Sequence, residues 1–163
     1  MGQQADIQAF LDIYGLLEEA IRGLSEEELR WREAPGKWSV TEVLAHLADH
    51  GIVTSFRIRA ILAGSAERLP AFAQDPWVAG QKANEARAGD ILAAYRALVE
   101  YNAQLLGRLS DAELAKTGIN AKGETVSVAD LIRGFVRHAH NHLGQIDRIK
   151  RALRAAGPNP SRG

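Results

Sequence analysis

Apolar residues recur at spacings of three and four along most of this chain, with polar residues between them. The first segment shows the pattern clearly, in one stripe made of Ile7, Phe10, Leu11, Tyr14, Leu17, Ile21 and Leu24. A period near 3.6 is typical of an amphipathic helix that buries one face, so the stripe predicts a helix of about twenty residues. Because no succession of alternating strand patterns is present, the sequence indicates an all-α chain.

A second helix is predicted from Ser39 to about Ala63. Ser39 and Glu42 have the spacing of a capping box, in which each side chain binds the backbone amide of the other residue. Residues 64–89 then hold several residues that interrupt helices, namely Pro70, Pro76, Gly80 and Gly89. We therefore predict a long crossover there, with a partial helix near 77–87.

Two more helices complete the pattern. The third begins at Asp90, and its stripe comprises Ile91, Tyr95, Leu98, Leu105 and Leu109. Asn102 is the polar member of that stripe, either as a hydrogen-bonded core residue or as a pocket contact. Residues 110–126 are predicted to form a loop with room for a hairpin-like turn. The fourth helix begins after Ser127, ends before Gly157, and buries Val128, Leu131, Phe135, His138, His142, Ile146, Ile149 and Leu153.

Four helices of roughly 18–28 residues with one long connection predict a four-helix bundle. The long crossover between the second and third helices lets these two run parallel, which gives an up-down-down-up topology. With 163 residues the chain has the length of one domain. We predict a single domain over residues 1–156 and a flexible C-terminal tail over residues 157–163.

Composition and charge exclude several classes of function. The chain has no cysteine, so disulfides, zinc ribbons and a protein thiolate nucleophile are excluded. Its 20 basic and 20 acidic residues give no basic field for nucleic acid. No apolar stretch is long enough for a membrane span, and the N-terminus does not resemble a signal peptide, so we expect a cytoplasmic protein.

All five histidines lie in the second and fourth helices. His138 and His142 are four residues apart, so their imidazoles lie one above the other on the face that also carries Phe135. His140 points the opposite way. Two inward imidazoles are either hydrogen-bonded core residues or ligands of a metal ion, and the spacing alone leaves both interpretations open.

A third ligand would have to come from the second helix, which carries His46 and His50. His50 lies closer to that helix's apolar stripe, whereas His46 lies toward its flank. Helical periodicity alone therefore leans slightly toward His50. It does not exclude His46, because a central helix of a bundle has a wide buried face.

The runs Trp38–Asp49 (WSVTEVLAHLAD) and His138–Ile146 (HAHNHLGQI) together resemble the DinB/YfiT-like superfamily. The resemblance covers essentially the whole domain. It implies a four-helix bundle in which one histidine of the second helix and two of the fourth hold a metal ion. On this sequence those positions are His46, His138 and His142.

One departure from the family pattern concerns His50, where many relatives carry an acidic residue. His50 is then a fourth ligand, a hydrogen-bond donor behind the ligands, or a solvent-exposed side chain. Asp49 and Gln145 are further candidates to orient an imidazole. Trp77, in the crossover, is a candidate to line the mouth of a pocket.

The resemblance also implies a function. Three neutral imidazoles leave coordination positions of a divalent ion open, and zinc or nickel suits nitrogen ligands best. Such an ion would activate a low-molecular-weight thiol, as in an S-transferase, or water, as in a hydrolase, toward a small electrophilic substrate. The alternative is a non-catalytic metal-binding or structural bundle. Family resemblance further favours a homodimer.

Overall fold

Four long helices carry most of the fold, and short elements fill the connections between them. The computed structural model describes residues 2–157. In chain order its elements are α1 (Gly2–Ile21), α2 (Glu26–Arg30), α3 (Val40–Leu62), α4 (Gln74–Gly80), a 3₁₀ turn (Ala83–Glu85), α5 (Ala88–Leu106), α6 (Asp111–Leu114), β1 (Thr117–Ile119), β2 (Thr125–Ser127) and α7 (Val128–Ala155).

Helix α1 packs against α5 and α7, and contacts at its ends show their directions. Near the start of α1, the side-chain amide of Gln3 donates a hydrogen bond of 2.9 Å to the backbone carbonyl of Leu109, just beyond the end of α5. Near the end of α7, Lys150 donates one of 2.7 Å to the Ala20 carbonyl at the end of α1. Helix α1 is therefore antiparallel to α5 and parallel to α7.

Helix α3 also packs against α5 and α7. Leu98 lies against Gly51, and one turn further along both helices Asn102 donates a hydrogen bond of 2.7 Å to Ser55 Oγ. The two helices therefore run in the same direction, as the long crossover predicts. The up-down-down-up topology is confirmed.

Serine capping boxes begin four of the helices. In each box the serine hydroxyl accepts the amide of the third helical residue, whose carboxylate accepts the serine amide. The pairs are Ser25 with Glu28, Ser39 with Glu42, Ser110 with Glu113 and Ser127 with Asp130. The boxes of α3 and α7 set the first residue of the two helices that carry all the histidines.

The all-α class is confirmed, with one small addition. Strands β1 and β2 form an antiparallel hairpin in the segment 110–126 and its border, where the sequence predicted a loop with a hairpin-like turn. Gly118 lies so close to α3 that a Cβ atom there would stand 2.9 Å from Ile61 Cγ1. The Leu69 amide donates a 2.8 Å hydrogen bond to Ile119, which attaches the crossover to the hairpin. Strands of three residues are too short to show an alternating pattern.

The crossover differs in detail from the predicted partial helix near 77–87. Helix α4 begins earlier, at Gln74, because Pro76 lies in its first turn, where a missing amide costs nothing. It ends at Gly80, and Lys82, with φ of 53°, prevents its continuation. Helix α5 likewise begins two residues before the predicted Asp90.

One continuous core joins the four long helices, with members such as Phe10, Leu47, Tyr95 and Phe135. Asn102 is 2% exposed within it, and its Oδ1 accepts a hydrogen bond of 2.7 Å from Arg59. The single domain over residues 1–156 stays a prediction. The predicted flexible tail lies outside the described residues except for Gly157. Among residues 2–157, no helix has the length and apolar character of a membrane span.

We predict that Glu42→Gln destabilises the fold at neutral pH. The Glu42 carboxylate accepts hydrogen bonds of 2.7 and 2.9 Å from Arg32 and caps α3 through Ser39. Burial alone would raise the pKa of Glu42, but the hydrogen bonds from Arg32 and Ser39 lower it overall. The loss at pH 7 should be about 1–2 kcal/mol, measured by urea unfolding.

The pH dependence of this loss of stability tests whether the ionised Glu42 carboxylate is its cause. Because the pKa of Glu42 is depressed in the folded state, its stabilisation is present above the unfolded pKa of about 4.3 and disappears as pH falls through the folded value. The difference between wild type and Glu42→Gln should therefore shrink at low pH. Glu113→Gln, in the exposed capping box of α6, is the control and should cost less. A difference that stays constant from pH 7 to pH 3.5 would contradict this assignment.

Candidate metal centre

Three of the five histidines meet where α3 crosses α7. His138 Nε2 lies 3.0 Å from His46 Nε2 and 3.2 Å from His142 Nε2. One nitrogen from each residue falls within 4.8 Å of the other two. Within residues 2–157, His46, His138 and His142 form the group of histidine or acidic side chains that lie close enough together to hold a metal ion. The arrangement is the one that the family resemblance implies for this chain.

The flank of α3 that carries His46 is buried because the crossover covers it. Ala45, one residue before, packs against Val78 of α4 and Ala83 of the 3₁₀ turn. The α3 face toward α5 and α7 is buried by those helices, so His46 is only 1% exposed. Helical periodicity leaned toward His50 because it could not include the cover that the crossover provides.

The partner of His142 determines which of its nitrogens is free. His142 Nδ1–H donates a hydrogen bond of 2.7 Å to the Gln145 side-chain oxygen. The proton of the neutral ring is then on Nδ1, so Nε2 directs a lone pair at His138. Gln145, a candidate from the sequence, thus orients one imidazole of the cluster.

The three imidazoles are neutral at physiological pH. Burial, together with the neighbouring histidines, lowers the pKa of His46 to about 3 and that of His138 to about 4. Burial also lowers the pKa of His142, although its hydrogen bond with Gln145 acts in the opposite direction. Neutral imidazole is the form that binds metal ions.

These residues fit a metal ion. A proton shared among three Nε2 atoms satisfies at most part of the cluster, whereas a cation accepts all three lone pairs. Nitrogens bound tetrahedrally at about 2.0–2.1 Å from zinc lie about 3.4 Å apart, close to the 3.0 and 3.2 Å separations of this cluster. Two of the three separations are therefore close to the spacing that ligation demands, and all three nitrogens lie within 4.8 Å of one another.

Aromatic rings enclose the cluster. Trp38, just before α3, lies 5.1 Å from the His46 ring and 6.4 Å from the His142 ring, centroid to centroid. Phe72 of the crossover stacks on His46 at 5.8 Å, and Trp77 packs against Phe72 rather than against a histidine. Sequence analysis missed Phe72 because it lies in an irregular segment, where the only signal is an aromatic residue among polar and proline neighbours.

His50 lies beside the cluster without joining it. Its ring is nearly parallel to that of Phe135, at 5.3 Å, and 4.0 Å from that of His138. Burial, reinforced by His138, lowers its pKa to about 3. His50 Nδ1 is buried and finds no hydrogen-bond partner in residues 2–157. A half-buried ring packed on Phe135 is thus neither part of the three-nitrogen group nor fully solvent-exposed.

Asp49 and Asn102 lie apart from the imidazoles. The buried Asp49 carboxylate accepts a hydrogen bond of 2.7 Å from Gln81 of the crossover, and burial raises its pKa. It therefore ties α3 to the crossover, and within residues 2–157 it has no hydrogen bond with a histidine. Asn102 is in the core between α3 and α5, where it lines neither cavity next to the cluster.

Two cavities adjoin the three histidines. One, of about 190 Å³, is lined by Lys37, Trp38, His142 and Gln145. The other, of about 310 Å³, is lined by His50 and His138 together with polar residues of α3 and α7. Trp77, the predicted lining residue, lines neither cavity and packs against Phe72.

Comparison with known proteins identifies the family. The model of the DinB superfamily matches residues 9–146. The chain belongs to the DinB superfamily. This confirms the resemblance carried by the two histidine motifs.

Two curated relatives are named for metal-dependent hydrolysis. The "Putative metal-dependent hydrolase" of Oceanobacillus iheyensis is 23% identical over 133 residues, which cover 80% of this chain and 75% of the relative. YfiT of Bacillus subtilis carries the same description and is 21% identical over 148 residues, or 90% of this chain and 83% of that protein.

Solved structures show the same fold. The structure of YfiT from Bacillus subtilis, described as an unusual four-helix bundle topology, has a TM-score of 0.85 at 20% identity and covers 93% of this chain and 87% of its own. A mycothiol-dependent maleylpyruvate isomerase has a TM-score of 0.72 at 12% identity, over 90% of this chain and 61% of its own. The four-helix bundle class is thereby confirmed.

We predict that Gln145→Leu weakens zinc binding by about tenfold to a hundredfold. The variant removes the acceptor that holds the His142 proton on Nδ1, and loss of such a partner typically costs that much affinity. Competition with a chromophoric chelator measures the affinity. Gln104→Leu, on the exposed face of α5, is the control and should bind as wild type does. Equal affinities for both variants would show that Gln145 does not orient His142.

Proposed function

We propose that this chain is a metal-dependent enzyme in which His46, His138 and His142 hold one divalent ion. The convergence of three neutral imidazole Nε2 atoms, one on the buried His46 and two on the half-buried His138 and His142, carries the proposal. The names of the two curated relatives support it. Zinc or nickel is the proposed ion, because imidazole nitrogen suits both and affinity for such sites rises late in the first transition row.

Three protein ligands are typical of catalytic metal sites, which keep positions open for water or substrate. When bound, such an ion supplies a nucleophile at neutral pH by lowering the pKa of water or of a thiol. The chain's own residues prepare the site: Gln145 orients His142, and Trp38 and Phe72 pack against the ring of His46. Preorganisation of this kind reduces the cost of reaching the reactive arrangement.

The proposed reaction is attack by a low-molecular-weight thiol or by water on a small electrophile. The relatives named as hydrolases support water, and the likeness to a mycothiol-dependent isomerase supports a thiol. The two separate cavities beside the cluster favour the thiol, because S-transfer needs room for two molecules. Dimerisation remains a prediction from the family resemblance.

The first test is metal content. Protein purified without a metal-binding tag and reconstituted with zinc or nickel should hold about one equivalent, measured by elemental analysis. His46→Ala, His138→Ala and His142→Ala should each lose the ion while keeping their helicity. His140→Ala is the matched control, because His140 is exposed on α7 and lies outside the cluster. Full metal content in any of the three cluster variants would refute the assignment.

A second test separates an enzyme from a non-catalytic metal-binding bundle. Zinc-loaded protein is assayed for thiol transfer to 1-chloro-2,4-dinitrobenzene and for hydrolysis of p-nitrophenyl acetate. We expect His142→Ala to lose at least about a hundredfold in rate, as loss of a group that acts in the transition state would produce, and His140→Ala to lose nothing. A metal-loaded wild type no faster than His142→Ala in both assays, yet destabilised by chelation, would favour the non-catalytic bundle.

A further inference from the structure

The cavity of about 310 Å³ beside His138 lies between α3 and α7. Its volume is at the lower end of the about 300–1,000 Å³ typical of small-molecule sites. It has no lining residue in common with the cavity at Trp38 and His142. A small molecule in it would therefore approach the three histidines from its own side.

Arg57 brings a positive charge to this cavity. Its Nε and Nη2 both donate hydrogen bonds to the Pro70 carbonyl, at 3.0 and 2.7 Å. This contact holds the guanidinium in place and leaves three of its five N–H groups unused. Burial lowers the pKa of Arg57, which reflects the partial loss of water around its charge.

Arg137 lines the same cavity from α7. Its guanidinium lies over the α7 backbone at Gly134, where a Cβ atom would come within 3.8 Å of Nη2. Within residues 2–157, no Asp or Glu carboxylate forms an ion pair with Arg57 or Arg137. Two arginines, the half-buried Arg57 and the exposed Arg137, thus line one cavity without an ion-paired protein carboxylate in the described residues.

One acidic residue, Asp130, also lines the cavity. Its carboxylate accepts the Ser127 amide at 2.9 Å in the capping box of α7, so it is committed to the helix terminus. Two arginines and one aspartate leave a net lining charge of +1, because the two lining histidines, His50 and His138, are neutral. Thr54 and Asn141 add uncharged hydrogen-bonding groups, and Leu131 and Phe135 add apolar surface.

We propose that this cavity binds a carboxylate of the substrate through Arg57 and Arg137, so that the substrate is a small carboxylic acid. The inference rests on the proposed function, because it assigns the substrate class of the same site. The planar guanidinium donates two parallel hydrogen bonds to a carboxylate, and the negative charge makes these bonds stronger than those to a neutral acceptor. Bound there, the substrate places its remaining atoms beside His138, next to the cluster.

The test is an NMR titration of zinc-loaded full-length protein with succinate, with uncharged succinamide and inorganic phosphate as comparison ligands. We expect succinate to shift the Arg57 Nε–H signal and to bind at least about tenfold more tightly than succinamide, as charge-assisted hydrogen bonds predict. Phosphate binding tighter than succinate binding would overturn the assignment to carboxylates.

Substitutions locate the binding. Arg57→Gln and Arg137→Gln should each weaken succinate binding about tenfold to a hundredfold. Arg151→Gln, on the exposed face of α7 outside the cavity, is the matched control and should have no effect. Arg57→Gln also removes the contact with Pro70, so its folding is checked by thermal melting. Arg137 has no such contact within the described residues, and unchanged binding in Arg137→Gln would overturn the inference.

Metal content measured on the same samples keeps the two proposals apart. Protein that holds zinc but binds succinate no better than succinamide would refute this inference and leave the metal site standing. Succinate binding that needs both arginines, in protein that fails to take up zinc on reconstitution, would support the cavity and refute the metal proposal. Succinate binding that disappears when the zinc is chelated, and that is unchanged in Arg57→Gln and Arg137→Gln, would identify succinate as a metal ligand and overturn the inference.

Discussion

The antiparallel packing of α3 against α7 is the contact on which the candidate site depends. It places one histidine of α3 against two of α7, with nitrogen separations of 3.0 and 3.2 Å. A slip of one helical turn would move these groups by about 5.4 Å and separate them. Capping boxes at Ser39 and Ser127 fix where the two helices begin, and the crossover keeps α3 antiparallel to α7 by letting it run parallel to α5.

The same packing carries a cost in stability. Burial lowers the pKa of His46 and His138 and leaves their Nδ1 atoms without a hydrogen-bond partner in the described residues. Unpaired buried polar groups oppose folding, and an apolar core at these positions would be more stable. Proteins retain such costs where the groups do chemistry, which agrees with the function proposed for the site.

Much of the fold could be predicted because its signals are local. Helical stripes, capping boxes and the long interrupted crossover predicted the four long helices and the up-down-down-up topology. The pair His138 and His142 was also visible, since residues four apart share a helix face. The two short strands beside the predicted hairpin-like turn, the early start of α4 and the position of Phe72 were not, because short strands and irregular segments have no period.

The sequence by itself determined which residues share a face of each helix, and hence that His138 and His142 lie together. The family motif, rather than periodicity, selected His46 over His50. Only the tertiary structure decided which flank of α3 is buried, because the crossover that covers Ala45 comes from a distant part of the chain. It likewise decided that Arg57 and Arg137 line one cavity, since contacts between helices depend on packing that no single helix specifies.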